Sequence, residues 1–111
     1  MPAFKVSSVP EYFSTLQNRF EPEGAAGVDA TFQFELGAAG TYHVVVKDGG
    51  MTVVEGANAA PTTTIKMEGD NFVKMSNGEL NGQMAYMTGK MKIQGSIPMA
   101  MKMKDIFPPA G

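Results

Sequence analysis

Residues 31–55 read TFQFELGAAGTYHVVVKDGGMTVVE, and this stretch contains three apolar runs separated by glycine-rich turns. In the first run, Phe32, Phe34 and Leu36 occupy alternate positions, which places them on one face of a β-strand. The second run is rich in β-branched residues, which strands favour. Because connections this short favour hairpins, we predict three neighbouring antiparallel strands. Their predicted bounds are Thr31–Leu36, Thr41–Lys47 and Met51–Glu55.

A helix is predicted before these strands. Ser8 and Glu11 are spaced as in a capping box, and Pro10 fits the first turn of a helix. The predicted helix covers residues 9–20 and ends at the segment that begins with Glu21-Pro22. Its apolar residues recur at helical spacing, namely Val9, Tyr12, Phe13, Leu16 and Phe20.

The second half of the sequence predicts one more strand, two short helices, a fifth strand and a last helix. The fourth strand covers Thr62–Met67. The fifth covers Lys90–Gln94, with Met91 and Ile93 pointing inward. The last helix covers residues 97–107 and is followed by two prolines. The residues predicted to cap these three helices are Asp70, Asn81 and Ser96.

This order of elements predicts a single α+β domain over residues 1–111. The chain has 111 residues, which is close to the commonest size of one domain. Hydrophobic residues make up 43% of the chain and charged residues 18%, so a globular fold is expected rather than disorder.

Composition also excludes several function classes. Nine basic and eleven acidic residues give a formal net charge of −2, which argues against a dedicated nucleic-acid binder. The chain has no cysteine and one histidine, which excludes disulfides, thiolate zinc sites and a polyhistidine metal site. The start lacks a signal-peptide pattern and no apolar run reaches about 18 residues, so we expect a cytoplasmic protein.

His43 is the main candidate for acid–base chemistry. It lies in the predicted second strand, out of phase with Val44 and Val46, and no acid stands next to it in the sequence. We interpret it as a solvent-facing strand residue rather than a general base. We therefore predict that the chain is not an enzyme and needs no cofactor.

Methionine and lysine are concentrated near the end of the chain. Seven of the ten methionines lie in the last third. Methionine fills gaps in cores and also forms adaptable apolar binding surfaces, so both interpretations stay open. The lysines of this part, Lys90, Lys92, Lys102 and Lys104, have only Asp105 beside them. They form either a solvated face or a transient contact with anionic lipid headgroups.

Four segments within residues 70–103 carry a recognisable pattern. The most specific one contains Gly89-Lys90, Lys92-Ile93 and Gly95 in the pattern Gly-Lys-x-Lys-Ile-x-Gly. The four segments are Asp70-Asn71-Phe72, Gly78-Glu79-Leu80-Asn81, the run from Ala85 to Gly95, and Met99-Ala100-Met101-Lys102-Met103. Together they resemble the sterol carrier protein 2 family, and the resemblance implies one layer of helices on a five-stranded, mostly antiparallel sheet, with an apolar cavity between the two.

The resemblance further implies lipid binding in that cavity without catalytic residues. Matching positions give eight candidate lining residues, which are Phe72, Met75, Leu80, Met84, Met87, Met91, Met99 and Met103. The leading expectation is binding, with transfer, of sterols, fatty acids or other lipids. The alternative is an interaction or dimerisation module whose apolar groove takes a protein segment. The last helix is expected to act as a lid over the cavity, the alternative being that it completes the core.

Overall fold

The computed structural model describes residues 5–110, and its elements follow the predicted order. The helices are α1 (Val9–Ser14), α2 (Gly69–Ser76), α3 (Gly82–Met87) and α4 (Ile97–Ile106). The strands are β1 (Ala30–Glu35), β2 (Thr41–Lys47), β3 (Gly50–Glu55), β4 (Thr63–Met67) and β5 (Met91–Gly95). Short 3₁₀ turns follow α1 and β1, at Leu16–Asn18 and Gly37–Ala39. The predicted α+β fold is confirmed.

The five strands form one mixed sheet in the order β3-β2-β1-β4-β5. Among the described residues, the pair of the central strand β1 with β4 is parallel, and the three other pairs are antiparallel. The sheet is therefore mostly antiparallel, as predicted. Its edges are β3 and β5, and the chain must cross β2 and β1 to pass from β3 to β4.

A two-residue turn joins β2 to β3. Asp48 and Gly49 both have positive φ angles, 54° and 76°, and the flanking residues Lys47 and Gly50 are paired. Positive φ at both central positions is the requirement of a type I′ turn, whose twist matches that of antiparallel strands. An aspartate–glycine pair tolerates this conformation, which explains why the sequence signal was reliable here.

The first helix is shorter than predicted. Ser8 caps α1 by accepting a hydrogen bond from the Glu11 N–H at 3.2 Å. The Glu11 carboxylate accepts from the Ser7 N–H at 2.6 Å, and this bond lowers the pKa of Glu11. The Thr15 hydroxyl donates to the Glu11 carbonyl at 2.6 Å. Such back-bonding competes with a regular helix, and the chain continues as a 3₁₀ turn.

Two of the three predicted caps in the second half are confirmed. Asn81 accepts from the Met84 N–H at 3.0 Å, and Ser96 accepts from the Met99 N–H at 3.2 Å. The prediction for Asp70 was wrong, because α2 begins at Gly69 with Glu68 as its N-cap residue, so Asp70 lies in the first turn. There a carboxylate still favours the helix through its dipole.

Helices and sheet share one apolar core. The inner face of the sheet presents Phe32 and Phe34, which are fully buried. Phe34 contacts Phe13 of α1 and Phe72 of α2, and its ring centroid lies 5.4 and 5.5 Å from theirs. Phe107, just beyond α4, meets Phe32 at 6.3 Å. The helices therefore pack on this face, as the resemblance implied.

Candidate functional site

The inner face of the sheet is incompletely covered at its β5 edge. Ile93 of β5 pairs with Ile65 of β4, so both side chains point toward the helices. Ile65 is 1% exposed, whereas Ile93 is only partly buried. Apolar surface on the helical side thus stays accessible at this edge.

Two methionine side chains meet at the start of α3. A Cβ placed on Gly82, the first residue of α3, would lie 3.4 Å from the Met75 sulfur and 3.9 Å from the Met91 methyl carbon. Residues from α2, α3 and β5 therefore converge at one point. Within residues 5–110, ten partly buried hydrophobic residues pack against the core, and five of them lie at the end of α2, before α3, on β5 and on α4. Helices α3 and α4 both contact β5, and we call these five residues the β5 cluster: Met75, Leu80, Ile93, Met99 and Met103.

The eight predicted lining residues fall into three groups. Phe72 and Met91 are buried, and Phe72 belongs to the aromatic core, with its ring 4.7 Å from that of Tyr12. Four residues belong to the β5 cluster, and these are Met75, Leu80, Met99 and Met103. Met84 and Met87 are 54% and 71% exposed. Ile93 was predicted to point inward but was not predicted to line the site.

Helix α3 turns its large apolar side chains outward. Its buried residue is Ala85, while Met84, Tyr86 and Met87 are exposed. Because the helix has six residues and apolar side chains on several faces, the sequence pattern did not determine which face points inward.

The prediction that His43 faces solvent was wrong. His43 is 8% exposed, although its side chain is on the outer face of the sheet. The segment that crosses from β3 to β4 covers His43, and the His43 Nδ1 lies 2.8 Å from the Gly56 carbonyl oxygen. The neighbouring Gln33 accepts from the Asn58 N–H at 2.7 Å. These contacts give His43 a structural role under the crossover.

Charged chemistry is sparse in the described part of the chain. Within residues 5–110, no three His, Cys, Asp or Glu side chains come together in a group that could hold a metal ion.

Two open depressions lie on the surface. One, of about 490 Å³, lies at the start of α1 and α2, and the other, of about 460 Å³, lies beside β4 and β5. Their lining is mixed polar and apolar, and none of the eight predicted residues borders them.

Tyr12 is a buried titratable residue with a shifted pKa. Burial raises its pKa to about 12, and the charge of Arg19 partly opposes this shift. The Arg19 guanidinium lies 4.8 Å from the centre of the Tyr12 ring and donates to the Ser76 carbonyl at 2.9 Å. The pair joins α1 to the end of α2, so we assign it to the core rather than to the site.

Both ends of α4 are held in place. At its start, the Ser96 N–H donates to the Thr62 carbonyl at 3.0 Å. Beyond its end, Phe107 is buried and the Ala110 N–H donates to the Ser76 carbonyl at 2.8 Å. The lid role stays a prediction, and these contacts favour the alternative that α4 completes the core. In the described residues, no helix is long and apolar enough to cross a membrane.

Comparison with known proteins supports the same fold. Mouse hydroxysteroid dehydrogenase-like protein 2 is 33% identical over 103 residues, covering 90% of this chain and 21% of the mouse protein. Sterol carrier protein 2 of Arabidopsis thaliana is 41% identical over 69 residues, covering 61% of this chain and 56% of the relative. The solution structure of the sterol carrier protein domain 2 of Helicoverpa armigera superposes with a TM-score of 0.70 at 25% identity, covering 86% of this chain and 81% of that one.

The match to the family extends well beyond the segments that suggested it. This chain spans 20–26% of the length of the first hydroxysteroid dehydrogenase-like relatives, so it corresponds to one part of them. The pattern of the SCP-2 sterol transfer family matches residues 13–108, which include α2 to α4 and all five strands. The chain belongs to the SCP-2 sterol transfer family.

Proposed function

We propose that this chain is a non-catalytic lipid carrier that binds a sterol, a fatty acid or a similar apolar molecule at the β5 cluster. The observation that supports this most is the contrast between buried Ile65 and accessible Ile93 on the same face of the sheet. A site at this edge places the ligand between α4, the end of α2 and the edge strand.

Methionine side chains give this site its adaptability. Three of the five residues of the β5 cluster are methionines, which are unbranched and repack around ligands of different shape. Because both ends of α4 are held, we infer that the ligand enters by displacing Met99 and Met103 rather than by swinging the helix.

The expected affinity is moderate and the specificity broad. Burying about 300 Å² of apolar ligand surface contributes roughly 7–8 kcal/mol before the entropy of association is subtracted. Subtracting the entropy of association from this contribution leaves a micromolar affinity. The β5 cluster has no charged side chain that would bind a lipid headgroup. Different apolar ligands are therefore expected to compete for this one site.

The remaining expectations are part of the proposal. Residues 1–111 act as one domain, without cofactor and in the cytoplasm, and the basic residues near β5 and α4 touch anionic membranes transiently. The dehydrogenase-like relatives are longer, and we propose that the activity their name suggests belongs to their other parts.

A second candidate is an interaction module whose apolar edge takes a protein segment. It is favoured by the occurrence of this domain as a small share of longer relatives. Saturable binding of a fluorescent fatty acid to the delipidated chain supports the carrier. Failure of fatty acids and sterols to bind at all would favour the interaction module.

A matched pair of variants tests the location. Ile93→Lys places a charge inside the site, where it would lose its solvation, and we expect fatty-acid binding to fall at least about tenfold. Val53→Lys is the control, because Val53 is also partly buried on the inner face but at the opposite edge. Circular dichroism checks that both variants fold. Equal loss of binding in the two would place the site elsewhere.

A further inference from the structure

Gly82 differs from most glycines of this chain. Most of the described glycines have a positive φ angle or lie where an added side chain would overlap a neighbour, so glycine is needed at those positions. Gly82 is the first residue of α3, its φ angle is not positive, and an added Cβ would make only ordinary contacts. Neither the backbone conformation nor close packing therefore requires glycine here.

The missing side chain of Gly82 leaves a space between two methionines. The atoms nearest to the position of an added Cβ are the Met75 sulfur at 3.4 Å and the Met91 methyl carbon at 3.9 Å. A methyl group would fit there without overlap, and we call this space the Gly82 gap. Both neighbours are flexible thioether side chains. Since Met75 belongs to the β5 cluster, the Gly82 gap adjoins the proposed ligand site.

The backbone around the Gly82 gap is held in place. At the end of α2, the Asn77 side-chain amide donates to the Val6 carbonyl at 2.8 Å, and its oxygen accepts from the Val6 N–H at 2.7 Å. At Gly78, an added Cβ would overlap the Ala110 carbonyl oxygen. Strand β5 is held by its pairing with β4. A ligand that presses on Met75 is therefore expected to move its side chain rather than its helix, and the Gly82 gap gives that side chain room.

Ligands differ in how much room they require from the protein. An acyl chain adapts to a narrow site by rotating its own bonds, whereas a fused ring system is rigid and has a fixed width. We propose that Gly82 determines the ligand specificity of the β5 cluster, because the Gly82 gap lets Met75 give way to a rigid, sterol-like ring system. With the gap filled, the site accepts acyl chains only. The inference rests on the proposed lipid-carrier function and names the residue that sets its ligand class.

The competing explanation is that glycine at this position serves the folding of α3. Asn81 already caps this helix by accepting from the Met84 N–H at 3.0 Å. Alanine is also a better helix former than glycine. Gly82→Ala should therefore leave the melting temperature unchanged or raise it, whereas a role in folding predicts that the variant melts at a lower temperature.

Two fluorescent probes test the proposal, the sterol dehydroergosterol and the fatty acid cis-parinaric acid. We expect the unmodified chain to bind both. Gly82→Val fills the gap, and we expect the sterol affinity to fall at least about tenfold while the fatty-acid affinity changes less than about threefold. Gly82→Ala should shift the ratio in the same direction by a smaller factor, and it carries the test if the valine variant does not fold in circular dichroism.

Two further variants make the test specific. Gly50→Val is the control for the substitution itself, because Gly50 begins the opposite edge strand and an added Cβ there meets nothing closer than 3.9 Å. Both affinities should stay unchanged in this control. Met75→Ala in the Gly82→Val background removes the side chain that lost its room, so sterol binding should recover. Absence of any recovery would contradict the role given to Met75.

The outcomes separate this inference from the carrier function. If the unmodified chain binds neither probe, the carrier function is wrong and the inference fails with it. If it binds only one of the two probes, or if Gly82→Val weakens both equally, the inference alone is wrong. A lower melting temperature of Gly82→Ala would assign the glycine to folding and would also overturn the inference.

Discussion

Ile93 and Ile65 are cross-strand partners on the helical face of the sheet, yet Ile65 is buried in the core and Ile93 is partly exposed. Helices α3 and α4 contact β5, yet Ile93 stays partly exposed. Accessible apolar surface on the inner side of an edge strand is stable in water only at a cost. A bound apolar molecule would remove that cost, which is why we place the ligand here.

Phe72 is expected to stabilise the fold rather than to touch the ligand. Its ring contacts Tyr12 and Phe34 within the aromatic core. Phe72→Ala should therefore lower the free energy of unfolding by about 3–5 kcal/mol. Met75→Leu, in the β5 cluster, should cost less than about 1.5 kcal/mol. Urea unfolding measures both, and similar costs for the two variants would contradict the division between core and site.

His43 is expected to stabilise the crossover segment without affecting the ligand. Removing its ring in His43→Ala breaks the contact with the Gly56 carbonyl, which should cost about 1–3 kcal/mol of stability. Fatty-acid binding should not change, because His43 lies on the outer face. A tenfold loss of binding or of any activity in a folded His43→Ala protein would reopen a functional role.

Tyr12 should make stability fall at high pH. Its pKa is raised from 10.0 to about 12 in the folded chain, so its contribution is fully present below pH 10 and is lost as the pH approaches 12. The loss should reach up to about 3 kcal/mol. Urea unfolding at increasing pH, with Tyr12→Phe as reference, isolates this effect. Parallel curves for the two proteins would show that Tyr12 titrates normally.

The exposed methionines should oxidise first. Dilute hydrogen peroxide transfers one oxygen to each thioether and leaves water, at a rate that follows accessibility. We expect sulfoxide at Met84, Met87 and Met101 well before Met67 and Met91, which are buried. Mass spectrometry of peptides gives the order. Early oxidation of Met91 would mean that the β5 edge opens more than the structure indicates.

Sequence reasoning was sufficient for the order of helices and strands along the chain because their signals were local. Asp48-Gly49 determines a turn through its φ angles, and Ser96 caps a helix through one hydrogen bond. The burial of His43 depends on a crossover between strands that are distant in sequence, which no local pattern encodes.

Site residues were harder to predict, because their roles depend on tertiary packing. Phe72 and Met75 lie on the same short helix, yet Phe72 is in the core and Met75 in the β5 cluster. In α3, the small Ala85 is buried while Met87 points to solvent, the reverse of what hydrophobicity suggests. The partial exposure of Ile93 follows from the edge position of β5, which became known only with the strand order.

The most direct test is a titration of the chain, labelled with ¹³C at its methionine methyl groups, with a fatty acid. Carrier function at the β5 cluster predicts saturable shifts of Met75, Met99 and Met103, while Met51 on the opposite edge strand stays unchanged. Absence of any shift, or shifts confined to Met51, would contradict the account.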